Sequence, residues 1–256
     1  VVDGEGFVGK VELRGWAFWK MGSYVIPFPP AGKPNSEQDR ITNNRIQRFG
    51  LDLWSSGGIV AAYPWEMAVE HNEISEGYGP GVDLGWYGNF ARCHKLGSTP
   101  PLKQCQSSSG RNRIIGNRVF AVGGLNTDVG GIYTLGHQSP TDTYEDGLTI
   151  SGNHVFGMKR LTDTFPTVLA SLYIDGDTSF TTVVDNIFEK PYASATVEGP
   201  FGYLYGDISP IFLNVGDETT SVPPHDIRWG DRESPSEGIV NPNLTPEERQ
   251  RWRKVL

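Results

Sequence analysis

The chain has 256 residues, of which 32 are glycine and 18 are proline, and its formal net charge is −8. So many turn-forming residues exclude a mainly helical protein, and an acidic chain without a run of Lys or Arg lacks the charge pattern of a nucleic-acid binder. No apolar run approaches the roughly 18 residues of a membrane-spanning helix, so we expect a soluble protein.

The first residues already have the character of a solenoid coil. Val11 and Leu13 read as a strand, and Trp16 and Trp19 supply its packing. A solenoid end without a cap exposes unpaired strand edges. We therefore expect the N-terminal coil to be open in this chain, with its cap supplied by further residues or by another chain.

A short phrase recurs five times, in which an asparagine is followed closely by a β-branched aliphatic residue. The copies begin at Asn44, Asn72, Asn117, Asn153 and Asn186, and successive copies are 28, 45, 36 and 33 residues apart. These intervals fit a coil of roughly 22 to 28 residues lengthened by loop insertions. We predict that the asparagines stack as a ladder in which their amides bond to one another and to turn backbone.

A second phrase falls between the asparagines, a small residue followed by a short apolar strand. It is found at Gly58–Val60, Gly81–Leu84, Gly131–Leu135 and Ser171–Ile174. Each coil therefore carries at least two strands. The sequence predicts an all-β, single-domain right-handed parallel β-helix over residues 1–240, followed by a tail over 241–256 with a short helix that starts at Thr245.

The two cysteines, Cys93 and Cys105, lie in one polar segment. We expect a disulfide that closes this loop, which implies an oxidising compartment and a secreted, extracellular protein. The alternative is a zinc site made with His94, although the spacing lacks a CxxC pair.

Acidic residues border two of the apolar strands. Asp128 precedes what we interpret as a Gly130–Gly131 turn, and Asp175 and Asp177 follow the strand of the next coil. If the two strands stack, we expect these carboxylates to converge on one groove. Two carboxyl groups in unequal environments are what glycosidic bond cleavage requires, because one protonates the leaving oxygen while the other attacks or activates water. A turn carboxylate that bonds local backbone is the alternative for each.

Four blocks in this order resemble right-handed β-helix glycoside hydrolases, a group that includes α-L-fucosidases and xylanases. They are residues 81–86, 113–119, 128–136 and 172–179, and the similarity spans about residues 40 to 190. The resemblance implies a plant or microbial polysaccharide or oligosaccharide as substrate. It also implies Asp128 and Asp175 as catalytic carboxylates, with Asp177 competing for the second position; Val129 and Gly176 depart from the group's pattern.

Further side chains are candidates for substrate binding. Asp83 and Trp86 are expected on the face of Asp128 one coil earlier, and Tyr133 and Tyr173 are candidate platforms for sugar rings. His137 and His71 are candidates to contact hydroxyl groups. The alternative for each aromatic residue is a packing role in the core. The alternative for each histidine is a structural hydrogen bond.

Two rival functions use the same fold. A polysaccharide lyase would abstract a proton beside a uronate, with calcium held by Asp175, Asp177 and Glu189. A non-catalytic adhesin or glycan-binding solenoid would bind without cleavage. We expect no other cofactor, and no nucleic-acid or membrane partner.

Overall fold

The computed structural model describes residues 10–12, 36–51, 56–85, 109–124, 128–158, 168–175, 178–189, 208–213 and 227–229. Every helix or strand within these ranges is a β-strand. None of these residues forms a helix long and apolar enough to cross a membrane. The segment with Cys93 and Cys105, and the predicted C-terminal helix, lie outside the described residues.

Three long sheets contain almost all the strands. Sheet 1 has the spatial order β1 (Lys10–Glu12), β3 (Arg40–Thr42), β7 (Ala68–Glu70), β10 (Arg113–Ile115), β13 (Leu148–Ser151), β16 (Thr181–Val184) and β19 (Ile227–Trp229). Sheet 2 has β4 (Arg45–Gln47), β8 (Glu73–Ser75), β11 (Arg118–Phe120), β14 (His154–Phe156) and β17 (Ile187–Phe188). Sheet 3 has β5 (Ile59–Ala61), β9 (Val82–Gly85), β12 (Asp128–Leu135), β15 (Val168–Ile174) and β18 (Ile208–Leu213), and a small fourth sheet pairs β2 (Ser36–Glu37) with β6 (Pro64–Trp65).

The chain visits sheets 1, 2 and 3 in turn and then returns to sheet 1, so each strand pairs with the equivalent strand of the next coil. All these pairings are parallel except that of β1 with β3. This arrangement confirms the prediction of an all-β chain with parallel sheets, and it is consistent with a β-helix-like solenoid.

The core lies between the three sheets. Along β10, β11 and β13 the inward residues Ile114, Val119 and Ile150 are fully buried, while their neighbours along the strand are partly exposed. This alternation is the period of two expected when one face of a strand is buried. Aliphatic residues from all three sheets form one continuous cluster.

The predicted asparagine ladder is present at the corner between sheets 1 and 2. Asn72 Nδ2 donates to Asn117 Oδ1 at 2.9 Å, and Asn117 Nδ2 donates to Asn153 Oδ1 at 2.9 Å. The same carboxamide oxygens accept the backbone N–H of the preceding asparagine. The second hydrogen of each amide goes to a strand carbonyl of the coil before, such as Val69 O for Asn117. The ladder also includes Asn44 and Asn186.

This corner has a constant length of two residues, and the residue before each ladder asparagine has a positive φ. The angles are 57° at Asn43, 55° at His71, 64° at Gly116 and Gly152, and 55° at Asp185. Such a left-handed residue turns the chain sharply from sheet 1 into sheet 2. Glycine is required at 116, because a Cβ there would lie 2.7 Å from His71 Nδ1.

The N-terminal strand differs from the prediction. β1 is not a coil strand, because Val11 pairs antiparallel with Ile41 and so covers the N-terminal edge of sheet 1. Among the described residues, β4 and β5 are the first strands of sheets 2 and 3.

Candidate functional site

The outer face of sheet 3 carries a row of unlike side chains at one register position. Val60 pairs with Asp83, Asp83 with Tyr133, and Tyr133 with Tyr173, on the neighbouring strands β5, β9, β12 and β15. Residues on either side of this position, such as Leu84 and Ile132, belong to the core, so the row itself faces outward. The structure therefore brings together three of the residues predicted to bind substrate, Asp83, Tyr133 and Tyr173.

Asp175 follows directly after β15 and lies beside this row. Its backbone N–H donates to Thr134 O at 2.9 Å, which continues the pairing between β15 and β12. Its side chain is only 4% exposed, and its Oδ2 accepts a hydrogen bond from the Tyr133 hydroxyl. A predicted catalytic carboxylate thus lies next to predicted substrate-binding residues.

Asp83 has an unusual electrostatic environment. Its side chain is half-buried on β9. Loss of water contact raises the pKa of Asp83 to about 7, and the negative charge of Asp175 adds to this rise. A carboxyl group of this kind holds a proton at pH values where an ordinary aspartate has lost it.

Asp83 and Asp175 form a pair with unequal environments. Their strands, β9 and β15, are two strands apart in sheet 3, and Asp175 lies two positions beyond the shared row. Strand spacings of about 4.8 Å and a rise of about 3.3 Å per residue then place their Cα atoms roughly 12 Å apart. Two aspartate side chains carried on backbones this far apart leave room between them for a water molecule or a glycosidic oxygen.

The structure does not bring Asp128 to this pair. Asp128 pairs with Val168 at the start of β12, whereas Asp175 lies beyond the other end of β15. Seven residue positions separate them along the strand direction, which corresponds to about 23 Å. The expectation that Asp128 and Asp175 converge on one groove is therefore wrong, because the two residues border opposite ends of the same pair of strands.

The interpretation of Gly130–Gly131 as a turn is also wrong, since both residues lie inside β12. A Cβ at Gly130 would lie 2.8 Å from the Cβ of Tyr173, and one at Gly131 would collide with Val155. The glycines let β12 pack closely against sheet 2 and against the row. β12 therefore runs without a break for eight residues, with Asp128 at its start and Tyr133 near its end.

His137, a predicted substrate contact, lies just beyond β12 in a structured loop. Its Nδ1 is 2.5 Å from Ser179 Oγ, and its Nε2 is 2.8 Å from Asp142 Oδ1. Its ring packs edge-on against Phe180, with centroids 5.3 Å apart. The order of acid, imidazole and hydroxyl resembles that of a serine hydrolase, but Ser179 is fully buried, so this hydroxyl is closed to a substrate carbonyl.

The turn after Asp175 is held by residues that the sequence did not single out. Thr178 Oγ1 donates to Thr134 O at 3.1 Å, and the Thr178 N–H donates to Asp175 O at 3.2 Å. At the neighbouring end of β12, the buried Gln138 donates to Leu135 O and Gly136 O at 3.0 and 2.8 Å.

Other predicted site residues lie elsewhere or outside the described residues. His71 packs over Gly116 at the corner between sheets 1 and 2, away from sheet 3. Glu189 lies at 2.9 Å from Nε2 of the buried His154 of sheet 2. Trp86, Asp177 and the side chain of Asp128 lie outside the described part of the chain, and no three acidic, His or Cys side chains of that part are grouped as metal ligands.

Comparisons with protein-family models, with curated proteins and with solved structures gave no match to this chain. The resemblance to β-helical glycoside hydrolases therefore stays a prediction.

Proposed function

We propose that this chain is a secreted glycoside hydrolase built on a right-handed parallel β-helix, with Asp83 as general acid and Asp175 as its partner carboxylate. The observation that carries the proposal is the coupling of these two carboxyl groups on one outer face of sheet 3, where burial and the charge of Asp175 raise the pKa of Asp83 to about 7. A protonated Asp83 would donate to the leaving oxygen, and a charged Asp175 would activate water or attack the anomeric carbon.

The shape of the site supports a linear glycan as substrate. The row from Val60 to Tyr173 crosses four coils, each strand about 4.8 Å from the next. It offers an exposed aliphatic side chain at Val60, 43% exposed, and the partly exposed ring of Tyr133, which packs edge-on against the buried Tyr173. Apolar and aromatic surfaces of this kind suit the C–H faces of sugar rings.

The separation of the two backbones favours inversion of configuration. Retaining enzymes hold their carboxyl groups about 5 to 5.5 Å apart, and inverting enzymes about 6.5 to 9.5 Å. Two short aspartate side chains on Cα atoms roughly 12 Å apart reach the larger separation more readily. We therefore expect a product of inverted anomeric configuration, which NMR of the freshly released sugar would detect.

A glycan-panel digestion tests the proposal. The panel is treated with the wild-type protein and with Asp83→Asn and Asp175→Asn, and new reducing ends are measured. We expect each substitution to lower the rate by about 10²- to 10⁴-fold, the usual contribution of a positioned acid or base. Full activity in either variant would overturn the assignment of that residue.

Two further variants serve as controls. Asp185→Asn makes the same chemical change at an exposed corner between sheets 1 and 2, where φ is 55° and asparagine is well tolerated, so its activity should equal that of the wild type. Asp128→Asn tests the role that the sequence resemblance implies. Loss of activity in Asp128→Asn alone would move the catalytic site to the start of β12.

The same digestion separates the rival functions. A polysaccharide lyase would release unsaturated products that absorb ultraviolet light, and chelation of calcium would stop it. A glycan-binding solenoid would bind the glycan without producing new reducing ends. Either result would replace the hydrolase proposal.

A further inference from the structure

The outer face of sheet 1 carries a row of arginines and threonines at one register position, which we call the arginine row. Its members lie on six successive strands and are Arg40, Ala68, Arg113, Thr149, Thr182 and Arg228. The residues beside them on the same strands, such as Ile114 and Ile150, belong to the core, so the row faces outward. Five strand spacings of about 4.8 Å give the row a length of about 24 Å.

The arginines of this row keep most of their hydrogen-bonding capacity. Arg40 and Arg228 are exposed, and neither forms an ion pair with a described residue. Arg113 is 44% exposed and uses its Nε for Glu70 Oε1 at 2.9 Å, so its two terminal nitrogens have no acidic partner in the described part of the chain. The guanidinium carbon of Arg228 lies 3.9 Å from the centre of the Tyr144 ring, a contact that holds the cation in place.

Arginines on the neighbouring surfaces are committed to acidic residues. On sheet 2, Arg118 Nη1 lies 3.3 Å from Glu73 Oε2. At the corner before sheet 1, Arg111 lies 3.3 Å from Glu66 Oε1 and 2.6 Å from Asp146 Oδ1. The arginine row therefore differs from these surfaces in carrying guanidinium groups that are available to a ligand.

The outer face of sheet 1 is positively charged although the chain is acidic. The three arginines of the row and Glu70 give this face a net charge of +2. Lys10 and Glu12 of β1 pair with Thr42 and Arg40, and their two charges cancel. The whole chain has a formal charge of −8. A cationic face on an acidic protein directs an anionic ligand to that face.

The spacing of the arginines favours a polymer of sparse charge. Arg40 and Arg113 are two strands apart, about 10 Å, and Arg113 and Arg228 are three strands apart, about 14 Å. A nucleic-acid strand has a phosphate about every 3.4 Å and would set roughly seven phosphates against three cations. A polysaccharide with acid groups on some of its sugars has fewer charges, and its hydroxyls can bond Thr149 and Thr182 between the arginines.

We propose that the arginine row is a binding surface for an acidic polysaccharide, separate from the Asp83–Asp175 site on sheet 3. The forked guanidinium group binds a carboxylate or a sulfate through two parallel hydrogen bonds. Both acid groups share this chemistry. The proposal does not depend on cleavage of any glycan.

Two matched pairs of polymers test the role of charge, with affinity measured by calorimetry at low ionic strength. Polygalacturonate is compared with its methyl ester, and dextran sulfate with dextran. We expect binding to the charged member of at least one pair and not to its uncharged partner, with an affinity that falls as salt is added. The pair that responds identifies carboxylate or sulfate as the preferred group.

Arginine variants locate the binding surface. Arg40→Gln combined with Arg228→Gln removes two exposed cations that make no ion pair with described residues, so the fold should be retained. Each lost surface contact should weaken binding about 2- to 5-fold, and the double variant about 4- to 25-fold. Arg111→Gln is the matched control, because it removes the same charge from a guanidinium already held by Glu66 and Asp146, and it should leave the affinity nearly unchanged.

Several outcomes would overturn the proposal. They are equal binding of charged and uncharged polymers, no binding of either acidic polymer, or an equal loss of affinity in Arg111→Gln. Single-stranded DNA that binds as tightly as the acidic glycans would assign the face to nucleic acid instead. An Asp83→Asn variant that loses as much affinity as the double variant would locate the binding on sheet 3, whereas equal affinity to the wild type supports a separate surface.

Discussion

The asparagine ladder and the Asp83–Asp175 site are both polar clusters on the same stack of parallel strands. The ladder repeats one residue type in each coil, whereas the site combines several. In the ladder, the same side chain recurs in each coil, and each amide is satisfied by the next copy and by a strand carbonyl. At the site, the four coils contribute three residue types to one register position, namely Val60, Asp83 and the two tyrosines Tyr133 and Tyr173.

The difference teaches how a repeating fold separates stability from chemistry. Identical amide side chains can hydrogen-bond to one another and carry no charge, so a repeating fold can bury a row of them. Chemistry needs neighbours of unequal acidity, and a repeat of one residue type cannot supply them. The outer face of sheet 3 is one place where the described coils carry unlike residues.

The largest expected effect on stability comes from breaking the ladder at its centre. Asn117→Ala would take away the acceptor of the Asn72 backbone N–H and of one Asn72 amide hydrogen, and it would take away the amide donor that bonds Val69 O and Asn153 Oδ1. Buried groups that lose their partner cost about 1 to 3 kcal/mol each, so we expect a loss of about 4 kcal/mol. Denaturant unfolding measures it, and Asn44→Ala at the first rung should cost less. An equal loss at both positions would contradict a cooperative ladder.

The next prediction distinguishes the candidate site from the asparagine ladder by the pH dependence of the free energy of unfolding. The pKa of Asp83 is raised from 3.8 to about 7 in the folded protein, so its stabilising effect is complete below about pH 4 and is lost as the pH rises through 7. Asp83→Asn removes this dependence. Relative to the wild type, the variant should gain stability between pH 4 and pH 8, by no more than roughly 4 kcal/mol.

Denaturant unfolding at several pH values checks this prediction. Asn117→Ala should lower the free energy of unfolding by the same amount at each pH, because an amide does not titrate in this range. A pH-independent difference between Asp83→Asn and the wild type would mean that Asp83 has an ordinary pKa.

The smallest effect concerns the corner that supports the ladder. Gly116→Ala places a Cβ at φ +64° and 2.7 Å from His71 Nδ1, so we expect a loss of about 1 to 2 kcal/mol. Gly157→Ala is the matched control, with φ +60° and no atom within 4 Å of the new Cβ. Adding His71→Ala to Gly116→Ala should reduce the loss to that of the control. No recovery would show that His71 is not the obstacle.

Much of the fold could be predicted because it repeats. The five asparagines set the coil intervals, and the structure places each of them on the ladder. The strand that each coil contributes to sheet 1 is not marked by either recurring phrase, since pieces as short as Ala68–Glu70 carry little pattern of their own. The antiparallel pairing of β1 also escaped prediction, because apolar alternation does not reveal the direction of a neighbouring strand.

The site was predictable only in part, for reasons that particular residues make clear. Asp83, Tyr133 and Tyr173 could be expected on one face, because the spacing of their strands follows the repeat. Asp128 was assigned to the same groove because Gly130–Gly131 reads as a turn in a sequence, whereas tight packing against Val155 and Tyr173 keeps both glycines in the strand. The raised pKa of Asp83 depends on burial and on Asp175, which no local pattern encodes.

The constant corner of two residues between sheets 1 and 2 has a consequence for how such a chain can change. Differences in coil length fall outside this corner, in strands such as β9 and β12, which have four and eight residues, and in connections such as residues 136–147. Insertions there leave the stacking of the asparagines untouched. The part of each coil outside this corner is thus where selection, or a protein engineer, can change the length of the chain while the asparagines keep their register.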